Sequence, residues 1–134
     1  MGARFLVDAN VGIDFLNNKL PVASTAWLEW QLQRQQLALS VVVRIELLSW
    51  VGTPADVQLL EDFIAATPVL PLDEPVVLQT IRLRQQHRVK LPGAIIAATA
   101  LVHGLPLLSR NTNDCRAVTG LTLPEPGEPG GLPA

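Results

Sequence analysis

Three carboxylates lie at or just beyond the ends of strand-like segments in this chain. Asp8 ends the apolar run Phe5-Leu6-Val7, Glu46 lies one turn into the helix-like segment after Leu37-Ala38-Leu39-Ser40, and Asp114 comes just after the apolar stretch 105–109. In open α/β sheets, sites form outside the carboxyl ends of the strands, so acids from distant parts of the chain can meet on one rim. Carboxylate oxygens are hard donors suited to Mg²⁺ or Mn²⁺. Such an ion polarises a phosphoryl oxygen and lowers the pKa of bound water, which are the needs of phosphodiester hydrolysis. Without an ion, clustered carboxylates repel one another and their pKa values rise. Taken singly, Asp8 or Asp114 is equally explained as a helix cap, and Glu46 as part of a solvated helix face.

The elements that must position these acids can be read from the pattern. Residues 4–7 read as a first strand and 11–18 as a weakly periodic helix. Ser24 or Thr25 can cap a second helix carrying Trp27, Leu28 and Leu32. Residues 37–40 read as a second strand, and Ser40 can cap a helix reaching Trp50. Pro54 suits the first turn of the next helix. Residues 69–72 form a third strand, whose Pro71 places it near an edge or a strand end. A long helix fits 74–87. With Leu91 as cap and Pro92 at the first helical position, another helix runs to Gly104. A fourth strand spans 105–109, and a short helix is expected about 114–118. This β-α-β-α-β-α-β order implies an α/β fold with a central parallel sheet.

At 134 residues the chain suits one domain. Only 16% of residues are charged and 49% are hydrophobic, which argues against intrinsic disorder. The formal net charge of −2 excludes nucleic-acid binding through bulk positive charge. Three Trp, three Phe and no Tyr make an aromatic base-stacking platform a poor reading. Trp27, Trp30 and Trp50 fit core or interface positions better. A lone cysteine, Cys115, excludes an intrachain disulfide and a cysteine zinc cluster, and is expected to be a small buried hydrophobe. Asp8 interrupts the N-terminal apolar run, so it does not read as a signal peptide, and no apolar run spans a bilayer. The expected location is cytoplasmic, with no membrane partner. Residues 121–134 hold four Pro and three Gly, so 124–134 is expected to be a flexible Pro/Gly-rich tail after a domain at 1–123.

Four motifs, in order over roughly residues 4 to 121, resemble those of PIN domains. Phe5-Leu6-Val7-Asp8-Ala9-Asn10, with Asp14 four beyond Asn10, looks like the opening motif, and Val43-Arg44-Ile45-Glu46-Leu47 like the second. Residues Lys90-Leu91-Pro92-Gly93-Ala94-Ile95-Ile96-Ala97-Ala98-Thr99-Ala100 are similar to the third. Leu107-Leu108-Ser109-Arg110-Asn111-Thr112-Asn113-Asp114 is similar to the fourth. Within that family the resemblance is to the VapC-type toxins of toxin–antitoxin pairs. It implies a three-layer α/β/α sandwich with a central parallel sheet of four to five strands. It also implies a Mg²⁺-dependent endoribonuclease (Mn²⁺ being an alternative ion), inhibited by a cognate antitoxin that covers the active site, and commonly a homodimer. On this resemblance Asp8 binds the metal directly, Asp114 directly or through water, and Glu46 through a metal-bound water. Asn10, Ser109 and Asn111 match supporting polar positions, although Asn also favours local turns.

One position departs from the pattern. The third motif of the family reads Leu-Pro-Asp-Ala, and here position 93 is Gly. The resemblance therefore implies a vacant acidic position, weakened metal binding and impaired activity. Three explanations stand: an alteration during cloning, because an active toxin kills its host; a natural degenerate copy; or sufficiency of Asp114 and Glu46 for weak binding. Glycine costs roughly 0.5–1 kcal/mol relative to Ala inside a helix, and an acid in a first turn would be favoured by the helix dipole. The substitution therefore reads as a loss, unless Gly93 relieves a close backbone contact. An inactive module that binds antitoxin or RNA is the competing function. Arg82, Arg84, Arg88 and Lys90 directly precede this motif and form either a phosphate-tracking strip or a solvated helix face. His87 and His103 lack ligand spacing to the acids.

Overall fold

The computed structural model describes residues 2–110, 115–124, 126 and 132–133. Four short strands, β1 (Phe5–Val7), β2 (Leu37–Ser40), β3 (Val69–Leu70) and β4 (Leu107–Leu108), form one parallel sheet in the order β3-β2-β1-β4. Among the described residues six helices accompany them: α1 (Ala9–Leu16), α2 (Val22–Gln33), α3 (Val41–Leu48), α4 (Pro54–Ala65), α5 (Glu74–Gln86) and α6 (Leu91–His103). The result is the expected α/β/α sandwich. Strands β1, β2 and β4 are buried along their whole length, as a parallel sheet covered on both faces requires. Register is fixed by Phe5 opposite Leu37 on one side of β1 and Val7 opposite Leu108 on the other. The outer edge of β4 is met by the returning chain, where Leu107 N–H donates to the Thr122 carbonyl at 2.9 Å. The third strand sits at the opposite edge and ends before Pro71, which has no N–H to continue a ladder.

Helix α6 explains how a small chain with so little charge holds together. Ile96 and Ala100 join the main core beneath the sheet, while Ala97 and Ala98 join a second cluster with Val76 and Leu83 of α5. The helix is thus buried on more than one side, and its alanines let neighbours approach closely. Gly104 closes it at φ +64°, a left-handed conformation that only Gly adopts without cost. Two bonds complete the ending, from Gly104 N to the Leu101 carbonyl and from Leu105 N to the Ala100 carbonyl.

Several boundaries differ from the sequence expectation. The second helix starts at Val22 after Pro21, and the Pro21 carbonyl accepts from Thr25 N; Ser24 lies buried inside the helix rather than capping it. The third helix ends at Leu48, not Trp50. Lys90 occupies the cap position of α6, one residue before the expected Leu91, so Gly93 is its third helical residue and remains in the first turn. Residues 115–117 form a turn instead of a helix, with Val118 N donating to the Cys115 carbonyl; Asp114 lies outside the described residues. Most of the expected tail lies outside them as well, while Leu132 packs partly buried against the core.

Cys115 is buried, as expected for a small hydrophobe. Trp27 packs edge-on against Phe5 with ring centroids 4.8 Å apart, whereas Trp30 and Trp50 are exposed. No helix among the described residues is long and apolar enough to cross a membrane.

Candidate functional site

Strand β1 lies between β2, to which the chain runs first, and β4, to which it returns last. The carboxyl ends of β1 and β4 therefore flank a topological switch point, where open α/β sheets leave a crevice. Because Val7 and Leu108 are paired, the next residues, Asp8 and Ser109, emerge side by side. Ser109 Oγ donates to Asp8 Oδ2 at 2.8 Å, and Ala9 N–H donates to Asp8 Oδ1 at 2.7 Å. Both oxygens of this carboxylate are thereby oriented before any ligand arrives. Asp8 is also the N-cap of α1, so its helix-cap role and its place in the site coexist in one side chain.

Glu46 reaches the same place by a different route. Ser40 ends β2 and caps α3, accepting from Val43 N–H at 3.1 Å, and Glu46 lies further along that helix. A cleft of about 450 Å³ is lined by Asp8, Asn10, Glu46, Lys90 and Gly93, over apolar walls that include Ile13 and Ile96. Partial burial of its carboxyl raises the pKa of Glu46 above the ordinary glutamate value, and the nearby Asp8 charge raises it further. A raised pKa in the folded chain means that the ionised form is disfavoured there. In the metal-free protein, this cost to stability is present above the folded pKa and disappears as the pH falls through it toward the unfolded value. We expect carbon-detected NMR to find the Glu46 carboxyl titrating above the ordinary glutamate range. The Asp8→Asn variant should lower that midpoint only in part, because burial is the larger cause; an unshifted midpoint in the unaltered chain would contradict this geometry.

Gly93 faces the cleft from the first turn of α6. A Cβ placed on it would meet only Val89 Cγ1, at 3.6 Å, which is ordinary van der Waals contact. No close backbone approach demands glycine there, and a side chain fits. Of the four basic residues before the motif, Lys90 lines the cleft; Arg82, Arg84 and Arg88 are exposed and do not line it. Asn111 and Asp114 lie outside the described residues.

Sequence reasoning missed one feature of this rim. Arg110 N–H donates to Asn10 Oδ1 at 3.2 Å, and Arg110 Nη1 pairs with Asp14 Oδ2 at 2.5 Å. The four-residue spacing of Asn10 and Asp14 on α1 was the available signal, since it puts both on one helix face.

The donor set can be tested against a divalent ion. Among the described residues no three His, Cys, Asp or Glu side chains converge as a metal cage. Two carboxylates face one open cleft, and the charge of one raises the pKa of the other. That set fits Mg²⁺, which keeps several waters and commonly takes one or two protein carboxylates.

Comparison with known proteins gives this rim its context. The PIN domain family model matches residues 5–120, and the chain belongs to the PIN domain family. Members of the VapC type are typically nucleases, and PIN domains usually use divalent metal ions. No curated protein sequence is significantly similar to the chain. Among solved structures, it resembles a toxin–antitoxin complex from Klebsiella pneumoniae at 26% identity and a TM-score of 0.70, covering 88% of this chain and 95% of that one. It also resembles VapBC2 from Rickettsia felis, solved bound to a DNA fragment from its promoter, at 15% identity and a TM-score of 0.75, covering 90% and 97%. VapBC-1 from nontypeable Haemophilus influenzae matches at 18% identity and a TM-score of 0.75, covering 92% and 98%.

Proposed function

We propose that the chain is the toxin of a toxin–antitoxin pair, an endoribonuclease dependent on Mg²⁺ or Mn²⁺ and weakened by Gly93. The observation that carries this reading is the Asp8 carboxylate, held by Ser109 and Ala9 and sharing one cleft with Glu46. Asp8 would hold the ion directly, Glu46 through a metal-bound water, and Asp114 would be the third acid. A bound divalent ion supplies polarisation of the scissile phosphate and a more acidic water. Ser109 fixes the direction in which Asp8 presents its oxygens. Glu46 would orient the attacking water from the wall of the cleft. Lys90, at the cleft, neutralises a backbone phosphate of the RNA. Arg82, Arg84 and Arg88 extend that contact along the exposed surface of α5 and the connection to α6. Exposed Trp50, Val51 and Leu59 offer apolar surface to a covering antitoxin or to a second copy in a homodimer.

The vacancy at position 93 also favours a second reading, a PIN domain that binds antitoxin or RNA without cutting. Incubation of the chain with bulk RNA separates the two. Slow cleavage in Mg²⁺ or Mn²⁺, abolished by a chelator, is the expected result. RNA that is bound and left intact at any ion concentration would establish the second reading.

A further inference from the structure

One hydrogen bond assigns the two ends of the Asn10 amide. Asn10 is the second residue of α1 and lines the cleft with Asp8, Glu46, Lys90 and Gly93. The Arg110 N–H donates to one end of its amide at 3.2 Å. Only an oxygen can accept there, so that end is Oδ1 and the other end is the NH2 group. Among the described residues Asn10 Nδ2 has no hydrogen-bond partner, and no buried side-chain nitrogen or oxygen lacks one. Asn10 is half-buried, so its unpaired Nδ2 must be open to solvent. Nor does this amide hold a carboxylate: Asp8 accepts from Ser109 Oγ and Ala9 N–H, not from Asn10. The other polar walls of the cleft are charged. Asp8 and Glu46 only accept when ionised, and Lys90 only donates. Asn10 Nδ2 adds a neutral donor whose direction is fixed by the bond at the other end of the amide. Non-bridging phosphate oxygens only accept, and they bear the charge of a nucleic-acid backbone.

We propose that Asn10 is a substrate-binding residue whose Nδ2 donates to a non-bridging oxygen of a backbone phosphate in the cleft, with Lys90 as the charged donor beside it. The inference rests on the reading of RNA as substrate. The contact carries no base preference, because every nucleotide presents the same phosphate. It is made by the protein alone and does not pass through a metal ion.

The test reads binding of a labelled single-stranded RNA, and of DNA of the same sequence, to the full chain by fluorescence anisotropy in chelator. Without an ion there is no metal-dependent cleavage to interfere, and no acid introduced at position 10 can recruit a metal. Asn10→Ala should weaken binding of both strands by about 10-fold, the scale of a hydrogen bond to a charged group. Its dependence on salt should not change, because no charge is removed, whereas Lys90→Met should lower the salt slope by about 1. Asn10→Asp keeps an oxygen for the Arg110 N–H but loses the donor, so it should bind at least as weakly as Asn10→Ala, with Tm close to the unaltered chain. Asn17→Asp adds the same charge at the far end of α1, away from the cleft, and should bind nearly as well as the unaltered chain at physiological salt. Unchanged affinity in Asn10→Ala would overturn the proposal. So would recovery by Asn10→Asp, which would mark Asn10 as a support for the Arg110 backbone, or an Asn10→Asp loss no larger than that of Asn17→Asp. A loss confined to RNA would overturn the phosphate contact in favour of one to the 2′-hydroxyl. Failure of the unaltered chain to bind either strand would overturn the contact as well, while the cleavage assay above judges the ribonuclease reading separately.

Discussion

Replacing Gly93 with Asp should raise RNA cleavage by about 10- to 100-fold. Loss of a residue that only supports a metal ligand typically costs that much, and an added carboxylate at the cleft should return at least as much. The structure makes the substitution physically simple. A Cβ at position 93 meets only Val89 Cγ1 at 3.6 Å, and the position lies in the first turn of α6. There an acid is favoured by the unpaired N–H groups of the helix start. The variant should therefore fold at least as stably as the unaltered chain, since Asp also escapes the entropic cost of glycine. Initial rates on bulk RNA in Mg²⁺, with Tm measured beside them, check both halves. Equal rates in the two chains would show that position 93 contributes nothing to the site.

Asp8→Asn should abolish what cleavage there is. Asp8 is the best-anchored group of the cleft: one oxygen accepts from Ser109 Oγ and the other from Ala9 N–H. Asparagine preserves the shape and the cap but removes the charge, and its amide cannot accept at both positions. In the Gly93→Asp background, where activity is easier to read, we expect a loss of at least 100-fold in kcat/KM, beyond the 10–100-fold of an outer partner. Asn is also a good N-cap, so Tm should change little. A loss of activity that simply tracks a fall in Tm would instead mark Asp8 as a structural cap.

Much of this fold is legible in the sequence because local signals and packing agree. Ser40 ends β2, caps α3 and is succeeded by a buried Val43 and Leu47, so strand, cap and helix reinforce one another. Gly104 after an alanine-rich run is equally unambiguous. The start of α2 is misleading because Ser24 and Thr25 are good caps in isolation, yet burial of Ser24 against the core extends the helix back to Pro21. At the site, strand pairing explains why Asp8 and Ser109 are readable: residues just beyond paired strand ends must be neighbours. The contacts of Arg110 are only half legible: the spacing of Asn10 and Asp14 puts both on one face of α1, but Arg110 is 100 and 96 positions away from them and nothing near it in the sequence points to that face. The four basic residues also divide in a way that charge alone does not reveal. Lys90 reaches the cleft because it caps α6, while Arg82 and Arg84 lie on exposed parts of α5.

On the proposed reading, the cleft between Asp8 and Glu46 is a divalent-metal site left one acid short by Gly93. Calorimetric titration of Mn²⁺ into the unaltered chain, Gly93→Asp and Asp8→Asn is the decisive experiment. The unaltered chain should bind weakly, Gly93→Asp at least 10-fold more tightly, on the scale of a lost metal-site partner, and Asp8→Asn not at all. Equal Mn²⁺ affinity in all three chains would contradict that reading.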